Sequence, residues 1–138
     1  MIRKINNDDL ETIYNLGKKY DSNFPNLYNL ESYVDNILYI MKCYEEDGII
    51  KGFVIANALY ESVEILLIYV DTLYRQHGIA SKLLADLEKN SVENLLLEVS
   101  VQNEPALNLY KKHNYKIIST RKKYYNGIDA YVMRKELK

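Results

Sequence analysis

Hydrophobic residues along the chain follow two spacings, one typical of helices and one typical of strands. In four segments apolar residues recur every three or four positions, which predicts amphipathic helices. Between them lie short apolar runs bounded by polar turn residues, which predict strands. The predicted helices are residues 8–20, 30–39, 78–89 and 104–113. The predicted strands are residues 2–5, 41–45, 49–59, 63–70, 95–99, 115–124 and 128–137.

Polar residues and glycines mark where these elements begin and end. Asn7 is predicted to cap the first helix, and residues 21–29 are predicted to form a loop. Residues 46–48, ending in Gly48, are predicted to turn between two strands. Asn126 and Gly127 lie between the last two apolar runs and are typical of a short hairpin. The chain is therefore predicted to alternate strands and helices from end to end.

The strand at residues 63–70 is apolar at nearly every position instead of alternating, which predicts that both of its faces are covered. Such a strand belongs in the middle of a sheet. The helix that follows has an apolar side suited to packing back on that strand in a crossover. The residues of that side are Ile79, Leu83, Leu84 and Leu87.

Composition narrows the class of protein without identifying a function. The chain has 138 residues, of which 48% are hydrophobic and 27% charged, and this suits a single domain over residues 1–138. A net charge of −1 and a pI near 6.1 give no basic stripe, so we expect no direct nucleic-acid binding. The start lacks the apolar run of a signal peptide, and no apolar run approaches the roughly 18 residues of a membrane span. These features predict a cytoplasmic protein without a membrane partner.

Cys43 is the single cysteine, so no internal disulfide can form. No cluster of metal-ligating residues accompanies it in the sequence, and we expect no metal site. Cys43 is predicted to be a plain buried or half-buried residue.

The segment from Val70 to Leu84 carries an anion-binding pattern, in which a strand runs through a short loop directly into a helix. The first turn of a helix has backbone NH groups without intrahelical partners, and the helix dipole adds positive potential there. Gly78 and Ala80 keep side-chain bulk away from those NH groups. His77 suits phosphate contact or simple exposure better than acid or base chemistry. The residues predicted to hold a pyrophosphate are Arg75, Gln76, His77, Gly78, Ile79, Ala80 and Ser81.

Further motifs follow at specific spacings. A strand carrying Glu98 leads to a turn with Asn103 and then to a helix bearing Tyr110. Residues 121–125 read Arg-Lys-Lys-Tyr-Tyr, and residues 129–133 read Asp-Ala-Tyr-Val-Met. With the glycine loop, these motifs resemble the GNAT superfamily of N-acetyltransferases, and within it the RimI-like enzymes that acetylate the N-terminal alanine of ribosomal protein S18. The resemblance covers residues 63–137 closely and the first sixty in outline.

The resemblance implies an α/β (α+β) fold, a mixed central sheet with flanking helices that is splayed where the cofactor enters. It implies acetyl-CoA as the cofactor, held at the loop and contacted by Asn103 and Tyr110. Asn103 also stands where a helix cap is expected. Ile68 and Tyr69 would pair with the pantetheine arm as though it were another strand, and a backbone NH at Val70 would hold the thioester oxygen.

Glu98 and Tyr110 are the candidate catalytic residues. An amine attacks a thioester only when neutral, so the enzyme must remove one proton and help the thiolate leave. Glu98 follows three leucines, and partial desolvation would make it a better proton acceptor near neutrality. Tyr110 is expected to donate a proton to the sulfur. From the residues alone, a solvated charge and plain helix packing are simpler explanations; the family spacing favours catalysis.

The resemblance also implies an acceptor, the α-amine of a protein N-terminus, reached by direct transfer in a ternary complex. Ribosomal protein S18 is the leading candidate. Tyr124 and Tyr125 are expected to line the acceptor's entry, although paired aromatic packing would also explain them. Phe24 opens what looks like a substrate-loop motif, but Asn26 stands where the family has tryptophan.

Two other functions stay open at this point. One is acetylation of a lysine or of a small-molecule amine, and the other is an acyl-CoA-binding regulatory subunit without turnover. The expected assembly is a monomer or a weak homodimer.

One departure from the family falls after the Tyr110 helix, where glycine-phenylalanine is replaced by Asn114 and Tyr115. Asparagine tolerates the left-handed conformation that glycine usually supplies at a helix end. The helix is therefore expected to end here without disturbing the fold.

Overall fold

The fold is built on a seven-stranded mixed sheet in the order β1-β2-β3-β4-β5-β7-β6. The computed structural model describes residues 1–90, 93–125 and 127–137, and the side chains of Tyr124 and Tyr125 lie outside that description. The strands are β1 (Ile2–Lys4), β2 (Tyr39–Glu46), β3 (Ile49–Ala58), β4 (Ser62–Val70), β5 (Asn94–Ser100), β6 (Lys116–Tyr125) and β7 (Ile128–Glu136). The helices are α1 (Leu10–Tyr20), α2 (Phe24–Leu27), α3 (Leu30–Tyr33), α4 (Ile79–Lys89) and α5 (Glu104–Lys112), with 3-10 turns at Asn7–Asp9 and Thr72–Tyr74.

The two faces of the sheet carry different helices and separate hydrophobic clusters. The face that packs against α4 and α5, named the α4 face, buries Leu83, Leu84, Leu87, Leu95, Leu97, Val99 and Tyr110. The opposite face, named the α1 face, packs against α1, α2 and α3 and buries Ile13, Phe24, Leu30, Phe53, Leu67 and Tyr69. Side chains alternate between the faces along each strand, so one sheet supplies both cores.

Strand β4 lies in the middle of the sheet and contains a β-bulge. Strand β3 pairs with Ile65 and then with Leu67, so Leu66 is an extra residue. Before the bulge, Ile65 packs in the α4-face cluster; after it, Leu67 and Tyr69 pack in the α1-face cluster. The prediction of a central strand with both faces covered is therefore confirmed.

Strands β4 and β5 run parallel but stay paired over a short stretch, Ser62–Ile65 with Asn94–Leu97. Within the described residues no pairing follows, although β4 continues to Val70 and β5 to Ser100. The two strands therefore part toward their carboxyl ends. This opening confirms the predicted splay of the sheet.

Left-handed backbone occurs at three chain reversals near strand and helix ends. Asp47 and Gly48 join β2 to β3 with φ values of 54° and 76°, as two-residue hairpin turns require. Asn114 has a φ of 69° directly after α5, which confirms the expected helix end. In the last hairpin Gly127 has a φ of 83°, whereas Asn126 lies outside the described residues.

The cap predicted at Asn7 is wrong by one residue: the capping residue is Asn6, at the start of the 3-10 turn that leads into α1. The Asn6 side chain accepts a hydrogen bond from the Asp8 NH at 2.9 Å, and the Asp9 carboxylate accepts one from the Asn6 NH at 2.8 Å. This reciprocal capping box needs an acceptor three residues after the cap. Asn6 has Asp9 at that position, whereas Asn7 would have had Leu10.

The predicted helix at residues 30–39 is wrong beyond its first turn. The chain leaves α3 in extended backbone at Val34, and Asp35 has a φ of 61°. Tyr39 already belongs to β2, where it pairs with Asn57 of β3. The Tyr39 ring stacks on the Tyr33 ring with 3.9 Å between the ring centroids. Sheet pairing outweighs local helical spacing here, since propensity is a weak preference that tertiary contacts override. The predicted loop at 21–29 also contains the single turn of α2.

Cys43 is fully buried, and burial raises the pKa of its thiol to about 11. This agrees with an inert core cysteine. In the part of the chain that the structure describes, no group of three His, Cys, Asp or Glu residues is placed to hold a metal ion. None of the described helices is long and apolar enough to cross a bilayer.

Candidate active site

The candidate site is the gap between β4 and β5. At its open end lies the segment predicted to bind a pyrophosphate, residues 75–81, named the anion loop. The last paired residues, Ile65 and Leu97, mark the closed end of the gap. Continuing the register by one residue brings the bulge residue Leu66 level with Glu98. A bulge leaves a residue out of the strand ladder. Glu98 therefore faces irregular backbone across the gap.

Val70, predicted to hold the thioester oxygen, lies four residues beyond Leu66, which is about 13 Å along a strand. That role of Val70 stays a prediction. Backbone NH groups level with Glu98 belong to Leu66 and Leu67. Ile68 and Tyr69 lie between that level and the loop, as expected for residues that pair with an extended cofactor arm.

The anion loop has the strained geometry that its sequence suggests. Gln76 has a φ of 67° and Gly78 a φ of 77°, and α4 begins at the next residue, Ile79. Left-handed backbone at a non-glycine residue costs roughly 1–2 kcal/mol, and such strain concentrates at functional sites. A Cβ added at Gly78 would meet no atom within 4 Å, so open space lies in front of the loop.

The loop side chains differ in what they can offer an anion. Gln76 and His77 are exposed, and Ala80 and Ser81 are half-buried at the first turn of α4. The Ile79 side chain packs in the α4-face core. Because Ile79 is the first residue of α4, its backbone NH has no intrahelical partner and can serve a ligand.

Arg75 turns back onto β4. Its Nε donates to the Val70 carbonyl at 3.1 Å, and its guanidinium lies 5.5 Å from the centre of the Tyr69 ring. These contacts hold the end of β4 against the start of the loop. A phosphate contact by Arg75 stays a prediction.

Asp71, which was not among the predicted site residues, lies directly after β4 and stabilises the start of the loop. Its buried carboxylate accepts hydrogen bonds from the Leu73 NH at 3.3 Å and from Lys19 Nζ at 3.2 Å. Its own NH donates to the Lys51 carbonyl at 2.9 Å. Asp71 thereby ties α1 and β3 to the loop. An aspartate directly after an apolar strand is a recognisable cap signal, so the sequence alone could have predicted the capping role of Asp71.

Glu98 projects onto the α1 face, because its neighbours Leu97 and Val99 are buried on the α4 face. Its side chain is 18% exposed, and its Oε1 accepts a hydrogen bond from Arg121 Nη1 at 2.5 Å. The sequence showed Arg121 within a motif but gave no sign of this contact. It depends on strand register, which the sequence does not specify.

Tyr110 lies on the other face. It is buried in the α4-face cluster with 7% of its surface exposed, and its ring meets the Tyr115 ring edge-on at 5.5 Å. The Tyr115 hydroxyl donates to Glu88 Oε2 at 3.0 Å, and burial raises the pKa of Tyr115. Glu98 and Tyr110 thus lie on opposite faces of the sheet.

Asn103 caps α5, as its position predicts. Its Oδ1 accepts a hydrogen bond from the Ala106 NH at 3.3 Å. Asn103 is exposed, so the cap leaves it accessible at the α4-face side of the opening. Its contact with a cofactor stays a prediction.

Two aromatic side chains, Tyr20 and Tyr69, lie on the α1 face beside the opening. Tyr20, half-exposed at the end of α1, meets the buried Tyr69 ring edge-on at 5.9 Å. Burial, with a smaller effect of Asp21, raises the pKa of Tyr20. Tyr20 was not predicted to be near the site.

Phe24 corrects the predicted acceptor contacts. It has no exposed surface, and its ring packs against Tyr14, Tyr28 and Phe53. An added Cβ on Gly17 would lie 2.4 Å from this ring, so Phe24 fills a space that only glycine leaves open. Phe24 is therefore a core residue that holds α2 on the sheet. The predicted contacts of the Tyr124 and Tyr125 side chains lie outside the described part of the chain.

Comparison with known proteins gives a family and several structural relatives. A family model described as the acetyltransferase (GNAT) family matches residues 2–115. An N-alpha-acetyltransferase of Saccharolobus solfataricus is 38% identical over 93 residues, covering 63% of this chain and 49% of that protein. The chain thus spans about half the length of this curated relative.

Two solved structures share the fold over nearly all of both chains. The ribosomal-protein-S18-alanine N-acetyltransferase of Escherichia coli has a TM-score of 0.80 at 24% identity, covering 99% of this chain and 93% of that one. NAA60 of Arabidopsis thaliana in complex with acetyl-CoA has a TM-score of 0.81 at 23% identity, covering 99% and 98%. These likenesses confirm the predicted fold class.

Proposed function

The chain belongs to the GNAT family of acetyltransferases, and we propose that it transfers the acetyl group of acetyl-CoA to the α-amine of a protein N-terminus. The observation that carries this proposal is the arrangement of two proton-transferring groups about the β4–β5 gap. Glu98 lies on the α1 face and Tyr110 in the α4-face cluster. A group held in the gap would have a carboxylate on one side and a phenol on the other.

The loop and the gap fit the shape and charge of acetyl-CoA. The NH groups of residues 78–81 would hold the pyrophosphate, and the space at Gly78 is open. Ile68 and Tyr69, whose backbone is unpaired on the β5 side within the described residues, would hold the pantetheine arm. Asn103 and Tyr110 would contact the cofactor from the α4 face.

Acetyl-CoA supplies a thioester carbonyl that an amine attacks, with release of the thiolate. Glu98 takes a proton from the amine nitrogen, which must be neutral to attack. A backbone NH at the bulge, from Leu66 or Leu67, holds the carbonyl oxygen as negative charge develops on it. The Tyr110 hydroxyl gives its proton to the departing sulfur, and direct transfer needs no covalent bond to the enzyme.

The acceptor enters from the α1 face, where Glu98 lies and Tyr20 lines the approach. Two features support a protein N-terminus: the sequence similarity to an N-alpha-acetyltransferase, and a carboxylate, Glu98, as the proposed base. An α-amine loses its proton far more readily than a lysine side chain. Ribosomal protein S18 is the first acceptor to test, since the fold is shared with an S18-alanine acetyltransferase.

The test is an acceptor screen with acetyl-CoA and purified protein. The panel contains the N-terminal peptide of S18, other N-terminal peptides, free lysine and a polyamine, and mass spectrometry detects the added acetyl group. We expect acetylation of N-terminal peptides, with the Glu98→Gln variant strongly impaired.

Three results would contradict the proposal in different ways. Acetylation confined to lysine or polyamine would replace the acceptor. Tight binding of acetyl-CoA without turnover of any amine would indicate a regulatory binding protein. Full activity of Glu98→Gln would remove Glu98 from the mechanism.

A further inference from the structure

The Glu98 carboxylate, the proposed base, is already occupied by a cation from the same chain. Arg121 Nη1 lies 2.5 Å from Glu98 Oε1, and the two side chains differ in exposure, 55% for Arg121 and 18% for Glu98. The carboxylate is therefore fixed at the site, and the guanidinium approaches it from the solvent side.

The register of the three strands explains how this contact forms. Glu98 pairs with Val132 of β7, and Arg121 pairs with Ala130, two residues away on the same face. Arg121 must cross β7 to reach Glu98. Ala130 is fully buried and has only a methyl group, so it leaves that path open.

The hairpin beyond Arg121 is held separately by Asp129. The strand pairing shifts between Arg121 and Tyr125, and Lys123 adopts a φ of 54°. Asp129 accepts a hydrogen bond from the Lys123 NH at 2.9 Å and pairs with Lys122 Nζ at 3.6 Å. Neighbouring cations thus have different carboxylates, Lys122 with Asp129 and Arg121 with Glu98.

We infer that Arg121 is a positioning residue that competes with the acceptor's amino group for Glu98 and so sets the affinity for the acceptor. This rests on the proposed function. An amine reaching the site at neutral pH is largely an ammonium ion, and it needs the carboxylate oxygen to which the guanidinium now donates. Arg121 holds Glu98 in place while the site is empty and moves outward when the acceptor binds.

The cost of that displacement is small enough for turnover. Solvent screening weakens ion pairs at the surface, and Arg121 is 55% exposed, so we expect displacement of its guanidinium to change acceptor affinity by a factor of about 3. Removing the guanidinium should therefore lower KM for the acceptor modestly and leave the chemical step intact.

The experiment compares Arg121→Gln with Lys122→Gln, a neighbouring cation of equal charge that pairs with Asp129 instead. Initial rates are measured against an N-terminal peptide without charged side chains, at saturating acetyl-CoA. We expect Arg121→Gln to lower KM for the peptide about threefold, with kcat within twofold and KM for acetyl-CoA unchanged. Lys122→Gln should leave all three values unchanged. Arg121→Lys, which keeps a cation, should restore a KM near that of the unaltered protein.

The inference is overturned if the KM of Arg121→Gln for the peptide is unchanged or higher, or if Lys122→Gln lowers it equally. A loss of kcat in Arg121→Gln that Arg121→Lys does not restore would assign Arg121 a structural role and also overturn it. Failure of the unaltered protein to acetylate any amine is a separate result, and it contradicts the proposed function on which the inference depends.

Discussion

Ile65 and Leu97 are the last residues at which β4 and β5 pair before the sheet opens. Both are buried in the α4-face cluster, which closes the inner end of the gap. The residue after Ile65 is the bulge at Leu66, and the residue after Leu97 is Glu98. Glu98 therefore stands at the inner end of the gap, and the anion loop lies at its outer end. A cofactor that lies along the gap would bring its reactive end to Glu98.

Binding of the pyrophosphate at the anion loop can be tested with a substitution at Gly78. Gly78→Val should raise the dissociation constant for acetyl-CoA at least tenfold, or about 1.4 kcal/mol, because the new side chain would fill the open space in front of the NH groups. Calorimetry of the folded variant measures this directly.

Gly48→Val is the matched control for that substitution. Gly48 has nearly the same φ, 76° against 77°, and the same open surroundings, but it lies in the β2–β3 turn. Both variants strain a left-handed position, so a loss of affinity in both would indicate a general effect on the fold. Unchanged affinity in Gly78→Val would move the cofactor to another place.

Tyr110→Phe tests the proposed proton donor. It keeps the ring in the core and removes the hydroxyl, so turnover should fall by ~10²-fold or more while affinity for acetyl-CoA changes little. The comparison is Tyr115→Phe, whose hydroxyl bonds to Glu88 and has no proposed part in the chemistry.

Tyr115→Phe should lower the free energy of unfolding by about 1.5 kcal/mol, as expected for losing a hydrogen bond to a charged group. Its turnover should stay within threefold of the unaltered protein. If Tyr110→Phe behaves in the same way as Tyr115→Phe, Tyr110 serves packing alone.

Gly17→Ala tests the packing of Phe24. Alanine favours a helix interior over glycine by roughly 1 kcal/mol, but overpacking a core costs about 1–3 kcal/mol. Since the new Cβ would lie 2.4 Å from the Phe24 ring, we expect overpacking to win and stability to fall by about 1 kcal/mol. Urea unfolding of Gly17→Ala beside Asn15→Ala, on the exposed side of α1, checks this. A more stable Gly17→Ala would show that the ring can move aside at little cost.

Asp9 gives stability a defined pH dependence. Its carboxylate accepts hydrogen bonds from Arg3 Nη1 at 2.8 Å, Arg3 Nη2 at 2.9 Å and the Asn6 NH at 2.8 Å. The bonds from Arg3, more than the one from Asn6, hold the pKa of Asp9 below its usual value. A lowered folded-state pKa means that this stabilisation is present above the unfolded-state pKa, near 3.9, and is lost as the pH falls through the folded-state pKa.

Asp9→Asn should therefore lower the free energy of unfolding by about 2 kcal/mol at pH 7. The difference from the unaltered protein should shrink as the pH falls below about 4. Urea unfolding across this range measures it, with the exposed neighbour Asp8→Asn as the control. A difference that stays constant down to pH 2 would contradict the assigned role.

Local patterns were enough to predict the elements around the gap. Each of these elements depends on a short stretch of consecutive residues. They are the apolar strand β4, the anion loop and the helix α4 with its buried side. The cap at Asn103 and the left-handed Asn114 followed from residue chemistry alone. These features depend on neighbours in sequence, so a sequence specifies them well.

Features that depend on strand register could not be predicted. The bulge at Leu66 was not predicted, and the pairing of β5, β7 and β6 brings Arg121 to Glu98. The burial of Phe24 was also missed, because it depends on tertiary packing: its ring packs against Tyr14 of α1 and against Phe53 of β3, and β3 is distant in sequence.

Transfer of the acetyl group to an N-terminal α-amine can be tested with one peptide. The peptide carries a free N-terminus and one internal lysine, so both amines are present at equal concentration. At pH 7.5 an α-amine with a pKa near 7.7–8.0 is about one-third neutral, whereas lysine near 10.4 is neutral only about 0.1% of the time. After incubation with acetyl-CoA and the protein, tandem mass spectrometry locates the acetyl group. We expect the acetyl group on the N-terminus. Acetylation mainly on the lysine would contradict transfer to an α-amine.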